Sequence, residues 1–332
     1  REVIELLAPV PSGTVVDATV GGGGHARRLL EARPDLRLLG IDRDPAAVAA
    51  AGAELEPFGD RARIVHGGFE DVAEIVGQGS EGNVMGILFD LGVSSPQLDL
   101  PERGFTYWGD APLDMRMDSA QSLTAERVVN EYTESDLTEV ISRNGEERFA
   151  RSIAARIVAN RPLHTTGDLV LAVKEAIPAR ARRRGGHPAR RTFQAIRMEV
   201  NRELPNLASG LDESVHIIGP GGRVLVLAYH SLEDRIVKER FTRWAGQDPA
   251  SQPPPGLRSS RRGPARWRGC SPAGRFAPAP MKSRPTPARR AHACGRSRSS
   301  RHRRDRESRV RRRAPGAGPC LVPPRRGRSR AS

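Results

Sequence analysis

Short apolar runs alternate with amphipathic stretches through the first ninety residues. Runs over 14–19, 36–41, 62–66 and 85–89 have the length and the bounding turn residues of buried strands. Between them, stretches at about 25–32, from Pro45 onward and over 70–76 carry helical spacing, and a helix over 2–7 precedes the first strand. This alternation predicts an α/β fold with a mostly parallel sheet covered on both faces. From about 123 to 218 the period becomes wholly helical, with Val128, Val129, Tyr132, Leu137, Val140 and Ile141 at its apolar positions. That stretch reads as a helical domain, 121–214, inserted into a sheet domain whose two parts are 1–120 and 215–250. A strand over 223–228 and an amphipathic helix over 232–244 return the chain to the sheet.

Composition divides the chain at one place. Residues 257–332 hold 24 Lys or Arg against 2 Asp or Glu, a charge of +22, so the overall +15 leaves −7 for the rest. The strongly basic balance therefore says nothing about the body, which is mildly acidic. Beyond Pro253 the chain is Arg, Pro, Ser and Gly with no aliphatic period, and too little apolar surface to offset the entropy of ordering. A disordered tail is expected over 251–332. All three cysteines (Cys270, Cys294, Cys320) lie in it, and a cysteine-free body suits a reducing cytoplasm. No secretory signal or membrane-spanning run is visible, so a soluble cytoplasmic protein is expected. The chain opens on Arg1 inside a helical pattern, and its natural start is expected upstream.

Three motifs carry chemistry. The first strand feeds Gly21-Gly22-Gly23-Gly24-His25, a run that lets backbone approach a ligand and then opens a helix whose first amides are free donors. Asp42 ends the second strand about twenty residues on, where a carboxylate can accept from ribose hydroxyls. It could instead cap the helix at Pro45, although Asp44 is better placed for that. Asp90 ends the fourth strand, at the edge where open α/β sheets bind ligands, followed by a loop containing Gln97. A dinucleotide and S-adenosylmethionine (AdoMet) both bring an adenosine. The contiguous glycines lack the G-x-G-x-x-G spacing that passes a pyrophosphate, and Asp17 beside the loop suits an ammonium group better than phosphates. AdoMet is favoured.

The strings VDATVGGGGHA (16–26), GIDRDP (40–45), ILFDLGVSSPQLD (87–99), ERGF (102–105), PLDMRMD (112–118), GEERFARSIA (145–154), RTFQAIRMEVNRE (191–203) and YHSLEDRIVK (229–238) occur in this order. Together they resemble the small-subunit ribosomal RNA methyltransferase H family, also called MraW, over residues 1 to about 244. The resemblance implies a class I AdoMet-dependent methyltransferase of the Rossmann-like type, which methylates the exocyclic N4 of a cytidine in the decoding region of bacterial small-subunit (16S) rRNA. It places cofactor contacts on Gly23, Gly24, His25, Asp42, Phe69, Asp90 and Gln97, with no metal. It also suggests that 112–118 and 230–235 meet the RNA, with His230 a candidate to contact the target base or take its proton. Lys174, Arg180, Arg182, Arg183, Arg184, Arg190 and Arg191 form a basic cluster suited to RNA phosphates on an acidic body. The rival from another class is a non-enzymatic RNA-binding protein acting through its Arg-rich tail.

The tail departs from the resemblance, which calls for an ending near A-N-P-R-A-x-x-A-x-L-R-A-V-E-K. With suitable codons, residues 281–300 read from their third nucleotide give E-V-E-A-N-P-R-A-P-G-A-R-L-R-A-V-E-K-L. A frameshift between about 244 and 281 is expected on this ground, and the coding DNA decides it.

Overall fold

The computed structural model describes residues 2–79, 82–182 and 186–246. The tail over 251–332, and Arg183 and Arg184 of the basic cluster, lie outside them. The elements in chain order are α1 (Glu2–Leu7), β1 (Gly13–Asp17), α2 (Gly24–Ala32), β2 (Leu36–Asp42), α3 (Pro45–Leu55), β3 (Ala62–His66), α4 (Val72–Gly77), β4 (Val84–Asp90) and α5 (Ser95–Asp99). Helices α6 (Ala125–Glu131), α7 (Glu134–Gly145), α8 (Ala150–Ala159), α9 (Thr166–Ala176), α10 (Ala179–Arg182), α11 (Arg190–Val200) and α12 (Glu203–Ile217) follow, then β5 (Ile218–Leu227) and α13 (Ser231–Trp244).

The five strands form one parallel sheet in the order β3-β2-β1-β4-β5. Successive side chains on a strand point to opposite faces, and the buried residues divide accordingly. Val15, Leu36, Leu38 and Leu88 pack on one face with α1 and α2, while Val16, Leu39, Ile41, Ile87 and Phe89 pack on the other. Strand order reverses between β1 and β4, and in doubly wound sheets the crevice at that reversal, at the carboxyl ends, receives the ligand.

A separate core holds the helical part: Val128, Val129, Leu137, Ile141, Ile153, Ile157, Leu169, Val173, Phe193 and Ile196. Its buried members run from Phe105 to Val200. Phe105, Leu113, Met115 and Met117 already belong to it, whereas Leu207 and Leu211 of α12 pack on the sheet. The stretch 103–118 is an irregular segment without period, so its buried side was invisible in the pattern. Capping boxes fix the starts of α7 and α9, at Thr133 with Asp136 and at Thr165 with Asp168. Among the described residues no helix is long and apolar enough to cross a membrane.

Candidate active site at the carboxyl edge of the sheet

Three carboxylates end three neighbouring strands: Asp17 on β1, Asp42 on β2 and Asp90 on β4. The glycine run starts in this crevice. Gly21 and Gly23 take left-handed φ values of 53° and 81°, Gly23 N–H donates to Val20 O at 2.8 Å, and α2 starts at Gly24. A side chain at Gly23 would be strained and would lie 3.4 Å from Glu54 of α3, whereas a Cβ at Gly22 or Gly24 meets nothing within 4 Å. The loop is thus held against the protein on one side and open on the other. That open side is a cradle that a ligand can fill against bare backbone.

Asp42 ties the loop to the sheet. Its Oδ2 accepts from Gly21 N–H at 2.9 Å and its Oδ1 from Asp44 N–H at 2.9 Å, and burial raises its pKa against the lowering effect of those two amides. Asp44, not Asp42, caps α3, accepting from Ala46 N–H at 3.0 Å ahead of Pro45. Burial pushes the Asp17 carboxyl up to about 7, with Thr19 N–H as its hydrogen-bond donor at 3.3 Å and Asp90 and Asp42 adding repulsion. Three carboxylates against one nearby histidine, His25, leave such a site acidic. It suits a ligand that brings a cation, and it disfavours a pyrophosphate.

Asp90 joins the elements around it. Its backbone N–H donates to Thr19 Oγ1 at 2.7 Å, its Oδ2 lies 3.4 Å from His25 Nε2, and its Oδ1 accepts from the Tyr229 hydroxyl at 2.7 Å. The hydrogen bond to Asp90 raises the His25 pKa, while burial and the same carboxylate raise that of Tyr229. Phe69 opens a turn after β3, edge-on to Phe89 at 5.7 Å, with the Arg43 guanidinium 5.6 Å from its ring centre. A polar cleft of about 310 Å³ continues from there, lined by Arg43, His66, Gly67, Glu70, Asn201 and Asn206 among others.

Gln97 is buried and engaged within the protein. Its Nε2 donates to Asp44 Oδ2 at 3.0 Å and its Oε1 accepts from Ser94 N–H at 3.0 Å. Arg103 reaches the same Asp44 oxygen at 2.9 Å and the carbonyls of Arg116 and Met117 at 3.0 Å each. The loop after β4 is therefore clamped to the start of α3, and Gln97 bounds the crevice by holding that clamp.

Two segments expected to meet the RNA are tied into the fold. His230, expected to meet the target base, caps α13: its Nδ1 accepts from Glu233 N–H at 3.4 Å, and its Nε2 lies 3.1 Å from Glu233 Oε1, off the line of a hydrogen bond. Glu233 in return accepts from the Tyr229 and His230 amides. A strand end followed by a helix needs a cap, and the Nδ1 of this histidine supplies it. The segment 112–118, expected at the RNA, turns its polar groups largely inward. Asp114 pairs with Arg116 at 2.8 Å, and Asn201 accepts from Met117 N–H and donates to Met115 O, each at 2.8 Å. The residues that sequence reasoning passed over are Thr19 and Tyr229. Position next to His230 at the end of β5 was the available signal for the latter.

The sheet order, the glycine loop and the acidic ends of β1, β2 and β4 define a class I methyltransferase fold. The profile of the MraW methylase family matches residues 1–264, and the chain belongs to that family. It is 53% identical over 258 residues to the ribosomal RNA small subunit methyltransferase H of Symbiobacterium thermophilum, a match covering 76% of this chain and 80% of that protein. The protein of the same name from Mycobacterium sp. (strain KMS) is 52% identical, with 76% of this chain and 70% of the relative covered. That from Thermobifida fusca is 51% identical, with 77% and 78% covered.

Proposed function

We propose that this chain transfers a methyl group from AdoMet to the exocyclic N4 of a cytidine in the decoding region of small-subunit ribosomal RNA. The observation that carries the reading is the meeting of an open glycine cradle with the Asp17, Asp42 and Asp90 carboxylates at the sheet's reversal point, in a member of a methylase family. Curated relatives about half identical in sequence bear the name of a small-subunit rRNA methyltransferase, which supplies the substrate class.

Bound AdoMet would supply a methyl carbon made electrophilic by the sulfonium. The amides from Gly22 to His25 would receive its polar end, and Asp42 would accept from ribose hydroxyls. Phe69 would pack near the adenine, and Gln97 would wall the site. Asp17 and Asp90 give the crevice the negative potential that a sulfonium and an ammonium require. A cytosine amine is a weak nucleophile because its lone pair is delocalised into the ring, so an acceptor beside it increases its electron density and receives the departing proton. Asp90, flanked by Tyr229 and His25, is the acceptor the crevice provides. The remaining task is to hold amine and methyl carbon in line. Lys174, Arg180, Arg182 and Arg190 would take RNA phosphates. Arg191 is partly committed, since it donates to Glu146 O at 2.7 Å.

The test is tritiated-methyl transfer to small ribosomal subunits from cells lacking the endogenous enzyme, followed by nucleoside analysis. N4-methylcytidine is expected, and label in any other nucleoside overturns the assignment.

A further inference from the structure

Apart from the crevice, an exposed indole stands on half-buried aromatic rings near Lys174 and Arg190. Trp108 is 69% exposed, unusual for the largest apolar side chain. It belongs to a stack whose base is in the helical core. Tyr107 lies edge-on to the buried Phe193 at 5.8 Å, His187 stacks on Tyr107 at 4.7 Å with 11° between the planes, and Trp108 leans on His187 at 4.9 Å. Burial, and secondarily Lys174, lowers the His187 pKa, so near neutral pH it presents a flat uncharged ring.

The stack is held on rigid elements. Trp108 N–H donates to Thr106 Oγ1 at 3.0 Å, Asp110 Oδ1 accepts from Gly167 N–H at 3.1 Å, and Ala111 N–H donates to Thr166 Oγ1 at 3.1 Å. The loop thereby abuts the first turn of α9. Leu171 and Lys174 follow Gly167 at i+4 and i+7, on the same helical face, and Leu171 is 59% exposed.

Several cations of the basic cluster have no acidic partner among the described residues. Arginines elsewhere commonly pair with acids, as Arg43 with Glu70, Arg127 with Glu131 and Arg197 with Glu203. Among the described residues, Lys174, Arg180, Arg182 and Arg190 have no acidic partner within ion-pair distance. Nearby acids are engaged elsewhere: Asp110 holds Gly167, and Glu175 turns to Arg156 and Asn160. In a body of net charge −7, unpaired cations beside an exposed indole stacked on a half-buried imidazole match single-stranded nucleic acid, whose bases stack and whose phosphates need counter-charge.

We propose that Trp108 and His187 form a stacking platform for an unpaired RNA base outside the methyl-transfer crevice, flanked by Lys174, Arg180, Arg182 and Arg190 for the adjoining phosphates. It rests on the rRNA-modifying reading and names the part of the surface that orders substrate before transfer.

The full chain is titrated against a single-stranded twelve-nucleotide oligoadenylate and against an abasic oligomer of equal charge, each fluorescein-labelled, following the anisotropy of the label. The unaltered chain should bind the intact oligomer about tenfold tighter than the abasic one. Trp108→Ala should erase that difference and raise KM for small subunits about tenfold with kcat within twofold. Its salt dependence should stay unchanged, whereas Arg180→Ala with Arg190→Ala should flatten it. Trp108→Phe should keep the preference for bases. AdoMet binding reports folding in each variant. If Trp108→Ala does not fold, the intact-to-abasic ratio of the unaltered chain and of Trp108→Phe decides. Equal binding of the two oligomers by the unaltered chain, or a Trp108→Ala variant that still prefers bases, overturns the platform. Failure to form N4-methylcytidine would overturn the assigned reaction and leave the oligomer result standing.

Discussion

The Tyr229 hydroxyl donates to Asp90 Oδ1 at 2.7 Å across the ends of β5 and β4, while the other oxygen of Asp90 faces His25. One carboxylate thus links the return strand, the fourth strand and the helix after the glycine loop. Tyr229→Phe removes one hydrogen bond and leaves the ring. A hydrogen bond to a charged group contributes about 1.5–3 kcal/mol, so kcat should fall by about 10- to 100-fold with AdoMet affinity within threefold. Single-turnover methyl transfer checks this, and an unchanged rate would remove Tyr229 from the reaction.

Asp42 holds Gly21 N–H, and the proposed function gives it the ribose as a second partner. Asp42→Asn keeps the shape but loses the charge and one acceptor. AdoMet should bind about 10- to 100-fold more weakly, seen as a lost thermal shift, while kcat at saturating donor changes less than fivefold.

For His230 the expected effect is structural. Its ring caps α13, so His230→Ala should cost about 1 kcal/mol of stability and His230→Asn, another capping residue, should recover most of it. Urea unfolding measures both. A methyl-transfer rate reduced more than a hundredfold in a stable His230→Asn variant would restore the catalytic role to this residue.

The placement of Asp42 and of the glycine run was legible in the sequence because it is local: a strand end, a turn and a helix start, in fixed order. Asp44 was legible as a cap from the proline after it, and the structure agrees. His230 and Tyr229 were not. Which of two adjacent side chains faces the crevice depends on β5 lying beside β4 and on α13 needing a cap, and neither follows from a string of letters. The segment 112–118 misled for a related reason. Its charged residues looked available, but Asp114 and Arg116 pair with each other, and Asn201, 84 positions from Met117, holds the backbone between them.

Arg103 and Gln97 both end on Asp44 Oδ2. Arg103→Ala leaves a buried carboxylate short of its cation and should lower stability by about 2–3 kcal/mol. Gln97→Ala should cost less, about 1 kcal/mol. Because the clamp ties the loop after β4 to the start of α3, both variants should weaken AdoMet binding severalfold, Gln97→Ala without any change of charge. Calorimetric titration and denaturant melts, run on the same samples, separate the two effects.

Asp17 provides the pH signature. Its folded pKa, about 7, lies above its ordinary value of 3.8, so the protonated form is favoured by folding. The stability it contributes is complete below about pH 4 and is lost as pH rises toward 7; over that span about 4 kcal/mol is at stake as an order of magnitude. Asp17→Asn should remove this slope, so the wild-type unfolding free energy minus that of the variant should fall by about 4 kcal/mol from pH 4 to 7. A bound cation reverses the preference, because it favours the carboxylate. AdoMet should therefore bind more tightly as pH rises to 7 and should release a proton when it binds below that. Calorimetric titration in two buffers of different ionisation enthalpy counts the proton. In Asp17→Asn the released fraction should disappear, leaving only the contribution of His25. An unchanged proton count in that variant would place the titrating group elsewhere in the crevice.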